Sequence, residues 1–182
     1  QYQKENYRIQ SPGAHQVKNA VLCIGIARAL SIPLSAIKRG LADAGQPLRM
    51  EVVSKKPMII LDGAHNPDKM KTTVETMKTV FRNQRPHLII GFSNDKNIRA
   101  MVRQLASLRP ATVACTRNTA NLLRKVVDPR DVQRMFRKYV REAKTELFLD
   151  PRDALAWSRR QIKTGDAILV TGSIFLSGEL RE

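Results

Sequence analysis

The 182-residue sequence has little of what catalytic, metal-binding or secreted scaffolds rely on. It holds two cysteines and three histidines. Cys23 lies in an apolar segment and Cys115 at the end of a strand-like run. They form no disulfide framework, and two reduced thiols are expected. His15, His65 and His87 are far apart, and no Cys/His cluster has metal-ligand spacing, so no metal is expected on this chain. The longest apolar run, residues 20–27, is interrupted by Gly25 and falls far short of the roughly 20 residues that a membrane helix needs. Residues 1–20 lack the apolar core of a secretion signal. A cytoplasmic location is expected, or a mitochondrial one in a eukaryote. The sequence contains no G-x-x-x-x-G-K-[ST], so no phosphate-binding P-loop, and no Ser-His-Asp arrangement. Acids are also scarce: 16 Asp+Glu stand against 32 Lys+Arg, a formal charge of +16. That imbalance points to polyanionic or phosphorylated partners and says nothing about the fold.

What is present is a globular balance, 42% hydrophobic and 26% charged, long enough for one full domain and a fragment. Residues 14–31 carry Val17, Ala20, Val21, Ile24 and Ala27 at helical spacing, which predicts a largely buried helix. Pro33 breaks it, and a short helix resumes over 34–44. Gly45-Gln46-Pro47 is the clearest linker. Beyond it the texture becomes an alternation. Strands are predicted at 50–53, 58–61, 87–91, 112–115, 146–149 and 167–170. Helices are predicted at 67–81, 98–108, 129–143 and 151–163, with a last one near Ser173. This rhythm predicts a mostly parallel sheet of about six strands, covered on both faces. Asn66-Pro67 and Asp150-Pro151 supply helix caps. The expected division is a helical piece, 1–44, and an α/β domain, 45–182.

The apolar run Ile59-Ile60-Leu61 ends in Asp62-Gly63-Ala64-His65-Asn66-Pro67. A buried strand would thus deliver Asp62 and His65 to its carboxyl end, where open α/β sheets bind ligands. Gly63 would let a ligand approach the backbone, and the turn after Asn66 offers N–H groups to an anion. The plainer alternative is that Asp62 caps a turn and His65 bonds locally. Arg49, at the junction after the linker, could clamp a phosphate with its planar fork. Lys96 follows a second strand, and Thr171-Gly172-Ser173 a third, so three strand ends could converge on one cleft. Arg130, Arg134, Lys138 and Arg141 recur at helical spacing. They motivate a rival reading as a basic nucleic-acid-binding α/β domain. A solvated helix face is the plainer account, with Phe136 and Tyr139 expected on the face opposite the cations.

Gly13-Ala14-His15-Gln16-Val17-Lys18-Asn19-Ala20 resembles the G-x-H-Q-x-x-N-A element of folylpolyglutamate synthases, within the Mur ligase superfamily. Leu61 to Pro67 is similar to their L-D-G-A-H-N-P signature; related Mur ligases usually carry tyrosine where Gly63 stands. Asp95-Lys96 falls at their D-K-D, and residues 169–181 resemble their closing segment. The resemblance implies a Rossmann-like three-layer α/β domain preceded by the helical end of a central ATP-binding domain. It implies an ATP-dependent ligase, Mg2+ included, adding L-glutamate to a folate or to dihydropteroate through an acyl phosphate. By the same resemblance Asn19, Arg49, Asp62 and His65 would contact ATP, while Lys96 and Ser173 would face glutamate. The P-loop domain and the metal ligands would lie outside these residues, leaving this stretch inactive alone and the intact enzyme a monomer. Another Mur-type amino-acid ligase is the alternative. Leu48 stands before Arg49 where the family usually has glycine, and Asn97 replaces the last acid of D-K-D.

Overall fold

The structure, a computed structural model, describes residues 4–94, 97–121, 123 and 125–181. The chain divides into two compact units, 1–47 and 48–182. The first contains α1 (Ala14–Ala29) and α2 (Leu34–Asp43). Pro33 starts α2, its carbonyl accepting the N–H groups of Ala36 and Ile37. The largely buried α1 that the spacing predicts is not what forms. Only Gln16 and Ile24 are buried, while Leu22 is 65% and Val17 and Ile26 each 54% exposed. Apolar residues ring the whole helix, and one short partner helix can cover only one stripe of it. The boundary also differs from the expected 44/45. Gly45 N–H bonds the Asp43 carbonyl and the Gln46 carboxamide accepts from Gln16, which ties the linker to the helices.

The second unit runs β1 (Glu51–Lys55), β2 (Met58–Leu61), α3 (Pro67–Thr79), β3 (Arg85–Ile90), α4 (Ile98–Ala106), β4 (Thr112–Cys115), α5 (Pro129–Arg137), β5 (Lys144–Leu147), α6 (Pro151–Gln161), β6 (Asp166–Thr171) and α7 (Ile174–Glu179). The six strands lie in the order β1-β2-β6-β3-β4-β5. β1 pairs antiparallel with β2, and every other pairing is parallel. This is the predicted α/β class.

Alternating strand residues sort onto the two faces, as the period-two geometry of a strand requires. Ile60, Leu88, Ile90, Val113 and Leu169 pack with Met70, Val74, Met101, Leu105 and Phe136 of α3, α4 and α5. Ile59, Leu61, Ile89, Ala114, Ile168 and Val170 pack with Ala154 and Trp157 of α6 and Leu176 of α7. Fully burying each such side chain contributes about 1.5–3 kcal/mol, which makes the central parallel strands the most stable part of the unit. Cys115 is buried within the first face, and burial pushes its thiol up to about 12; Cys23 is exposed, and both are free.

Helix starts follow their caps. Asn66 accepts from Lys69 N–H at 2.9 Å, Asp150 from Arg152 N–H at 2.7 Å and Asp128 from Arg130 N–H at 2.8 Å, each followed by proline. Most elements differ from expectation by one or two residues at an end, and two differ more. β5 covers 144–147 rather than 146–149, and α5 stops at Arg137 rather than at 143. Lys144 must pair with Thr112, so residues 138–143 have to turn back toward the sheet. The Phe136 carbonyl ends the helix there, accepting from both Tyr139 and Val140. The four-cation stripe is therefore broken: Arg130 and Arg134 lie on α5, Lys138 and Arg141 beyond it. Among the described residues no helix is long and apolar enough to cross a membrane.

Candidate functional site

The strand order puts the carboxyl ends of β2, β6 and β3 side by side. Asp62 N–H bonds the Val170 carbonyl, and Gly172 N–H bonds the Ala64 carbonyl, so the segments after β2 and β6 are stitched together. Ser177 of α7 donates to the Asp62 carbonyl at 2.8 Å from below. Gly172, at φ +100°, has no room for a side chain: a Cβ would stand 2.6 Å from the Gly91 carbonyl oxygen. The close glycine contact is what lets these two strand ends meet at one edge.

Asp62 is 5% exposed, and its carboxylate faces the protein. One oxygen accepts the N–H of Met50 at 3.1 Å; the other accepts Ala64 N–H at 3.0 Å and the Thr73 hydroxyl at 2.6 Å. Gly63 N–H takes the Leu48 carbonyl at 2.7 Å, and Leu48 N–H donates to Glu51 at 2.9 Å. Together these bonds fasten the loop on either side of Arg49. Both neighbours of Arg49 are left-handed, Leu48 at φ +58° and Met50 at +50°. Such backbone costs of order 1 kcal/mol or more per non-glycine residue and persists only where surrounding contacts hold it. Leu48 thus adopts the conformation that a glycine would take freely. Arg49 itself is half-buried, and its guanidinium makes no hydrogen bond or ion pair with the described residues. Glu51 anchors the loop a second time through Arg181, at 3.0 Å. Its hydrogen bond to Arg181, aided by Leu48 N–H and opposed by burial, holds the carboxyl below its ordinary range.

His65 is half-buried at the entry to α3. Its Nδ1 lies 2.9 Å from the Gly63 carbonyl, and its Nε2 lies 3.4 Å from the Lys69 ammonium. Nδ1 must donate to a carbonyl, which leaves Nε2 as the acceptor facing Lys69. The α3 entry is less open to an anion than its sequence implies. Asn66 occupies the Lys69 N–H, Pro67 has none, and Asp68 adds a negative charge to the first turn. Gly63 also serves packing: a Cβ there would press on Ile174 at 3.1 Å and on the Leu48 carbonyl at 3.3 Å.

Ser173 is 2% exposed at the start of α7 and makes no capping bond with its side chain. Arg49, Asp62, His65 and Ser173 are thus brought to one edge by backbone bonds between their segments. Lys96 lies outside the described residues. Asn19 belongs to the first unit, where its carboxamide donates to Gln16 at 3.1 Å. Among the described residues no group of three or more His, Cys, Asp or Glu side chains could hold a metal ion. Three contributors were not singled out in the sequence: Thr73, Lys69 and Glu51. The first two carry a legible signal, since 69 and 73 fall on one face of α3 at i, i+4 spacing, just beyond His65 at its entry.

Residues 48–174 match the Mur ligase, glutamate ligase domain family, and the chain belongs to it. Among individual relatives it is similar to the dihydrofolate synthase/folylpolyglutamate synthase of Bacillus subtilis. The two are 27% identical over 186 residues, covering 98% of this chain and 41% of the relative. The Thermotoga maritima folylpolyglutamate synthase structure is 30% identical with a TM-score of 0.80, covering 97% of this chain and 40% of that one. The Mycobacterium tuberculosis folylpolyglutamate synthase complexed with ADP and AMPPCP shares the fold, with a TM-score of 0.87 at 20% identity over 97% of this chain and 41% of that one. The chain spans about 40% of the length of these relatives.

Proposed function

We propose that this chain is the glutamate-ligase part of an ATP-dependent ligase that adds L-glutamate to a folate or to dihydropteroate. The observation that carries this reading is the Arg49 loop. A half-buried guanidinium without an ion partner among the described residues stands at the ligand edge, on a loop fastened from both sides by Asp62, Gly63 and Glu51. In the reaction, a substrate carboxylate attacks the γ-phosphorus of ATP and ADP departs, leaving an acyl phosphate. The glutamate amine then attacks the acyl carbon, loses a proton, and phosphate leaves with the C–O electron pair. Such chemistry needs positioned cations more than a nucleophile. Arg49 would neutralise charge gathering on the transferring phosphoryl group, by two parallel N–H···O bonds. His65, with Nε2 unprotonated, would accept a hydrogen bond from the nucleotide or keep Lys69 turned to its phosphates. Asp62 is a positioning residue in this scheme, since its oxygens are engaged by Met50, Ala64 and Thr73. Asn19 would join the ATP contacts, and Lys96 and Ser173 the glutamate contacts. The P-loop and the ligands of the divalent cation, Mg2+, would come from a partner domain. In bilobal form the ligase would act as a cytoplasmic monomer.

The test is glutamate-dependent ADP release by the ligase assembled with its P-loop domain. Arg49→Ala and His65→Ala are expected to lower turnover on the order of 100-fold, with Arg49→Lys recovering only part of it. Near-normal turnover in both alanine variants would remove the assignment.

A further inference from the structure

The far side of the sheet, where the parallel strands begin, carries a second feature that the ligase chemistry does not use. A cavity of about 630 Å³ opens between the end of α4, the start of β3 and the turn after α5. Arg85, Arg109, Lys138 and Arg141 line it together with Tyr139, and Glu142 is the one acid among its lining residues. All four cations are exposed, and none forms an ion pair with another described residue. They come from three separate segments, so no single helix face accounts for them. Arg109 reaches its place from a left-handed backbone at φ +49°, held by its N–H to the Ala106 carbonyl.

Charge neutralisation within the protein does not explain the cluster. The C-terminal ends of α4 and α5 present roughly half a negative charge each. With Glu142, and with Asp166 acting on Arg85, that offsets about three of the four cations, and about one remains uncompensated. Tyr139 adds what the cations lack. Because α5 ends at Arg137, Tyr139 leaves the helix and stays 43% exposed between Lys138 and Arg141. A cationic cleft with an aromatic platform is the arrangement that holds single strands, phosphates on the charges and a base on the ring.

We propose that this cavity binds a single-stranded nucleic acid, its phosphates on Arg85, Arg109, Lys138 and Arg141 and one base stacked on Tyr139. The inference goes beyond the ligase reading and involves none of the residues placed at the nucleotide edge. The test is fluorescence anisotropy of the full chain with a labelled oligothymidylate of about twelve nucleotides, a length within the usual single-strand site size. Lys138→Glu with Arg141→Glu is expected to weaken binding at least about tenfold and to flatten the log–log salt slope by about 1.4, two phosphate contacts of a single strand. Tyr139→Ala is expected to weaken binding about fivefold or more, with Tyr139→Phe restoring it. Lys71→Glu with Arg159→Glu, exposed elsewhere and equal in net charge change, is expected to stay within about twofold of the parent. Equal loss in both charge-reversed pairs, or no effect of Tyr139→Ala, would overturn the proposal. So would displacement of the oligonucleotide by poly-L-glutamate as readily as by unlabelled oligothymidylate, which would mark an acidic polypeptide as the occupant.

Discussion

The carboxylate of Asp62 accepts the backbone N–H of Met50 at 3.1 Å, so the strand end reaches back across twelve residues to the position just after Arg49. An acid at a ligand edge can act on a ligand or on the protein. Here three internal donors claim it, and the residue it governs is the arginine it does not touch.

Replacing Asp62 by alanine should therefore act first on stability. It leaves Met50 N–H and Ala64 N–H buried without their acceptor, at about 1–3 kcal/mol for each unsatisfied group, while the Thr73 hydroxyl keeps the Lys69 carbonyl at 3.0 Å. Urea unfolding followed by the fluorescence of Trp157, the chain's one tryptophan, should show a loss of about 2 kcal/mol or more for Asp62→Ala. Asp62→Asn, which keeps one acceptor oxygen, should lose less. Equal midpoints for parent and Asp62→Ala would contradict the clamp.

Leu48 should respond to substitution in an order opposite to that of an ordinary apolar position. Glycine at 48 gives up about 1–2 kcal/mol of packing, since Leu48 is partly buried against the α6/α7 face, but it also removes about 1–2 kcal/mol of left-handed strain. Isoleucine keeps the volume and adds a β-branch that the left-handed region tolerates worst. Leu48→Gly should unfold within about 1 kcal/mol of the parent, and Leu48→Ile should be the less stable of the two. The reverse ranking in chemical denaturation would show that the loop is not held as described.

Two glycines should give opposite signs when changed to alanine. At Gly172 the backbone is left-handed and a Cβ meets the Gly91 carbonyl at 2.6 Å, so Gly172→Ala should cost about 3 kcal/mol or more. Gly25 lies within α1 with nothing within 4 Å of its Cβ position, and Gly25→Ala should raise helix stability by about 0.5–1 kcal/mol. Thermal melts by far-ultraviolet circular dichroism distinguish the two.

Acid should weaken the amino edge of the sheet through Asp166. Burial alone would raise this carboxyl, but Lys163 N–H, the His87 imidazole at 3.0 Å and Arg85 outweigh it and hold it below its ordinary value of 3.8. A carboxyl with a lowered folded-state pKa adds stability that is complete above pH 3.8 and is lost as the pH falls through the folded value. The stability difference between the parent and Asp166→Asn should accordingly be larger at about pH 6 than at about pH 2.5. An equal difference at both would remove His87–Asp166 from the acid limb.

Much of the architecture was legible because it rests on local chemistry. Asn66-Pro67 and Asp150-Pro151 start helices by capping, and unbroken apolar runs such as 58–61 and 88–90 are buried strands because both faces of a parallel sheet are covered. The failures come from tertiary demands. The cations at 130, 134, 138 and 141 keep helical spacing past the true end of α5, because nothing local announces that Lys144 must reach Thr112. The direction of the Asp62 carboxylate was equally hidden, since its choice between ligand and backbone depends on where residue 50 is folded. Left-handed Leu48 was invisible for the same reason: the loop bonds that hold it come from Gly63 and Glu51.

The position of β6 bears on how the α/β unit comes into being. Residues 166–171 lie between β2 and β3, so the five strands that precede β6 in the sequence stay in two separated groups until this segment inserts. A ribosome-bound chain that has not yet released residue 171 can form helices and the β1–β2 hairpin, but no continuous sheet. Closure of the unit is then a late, long-range event, which slows folding and exposes strand edges while the chain waits. Truncation before Asp166 should consequently yield aggregation-prone material, because the strand that joins the two groups is then missing.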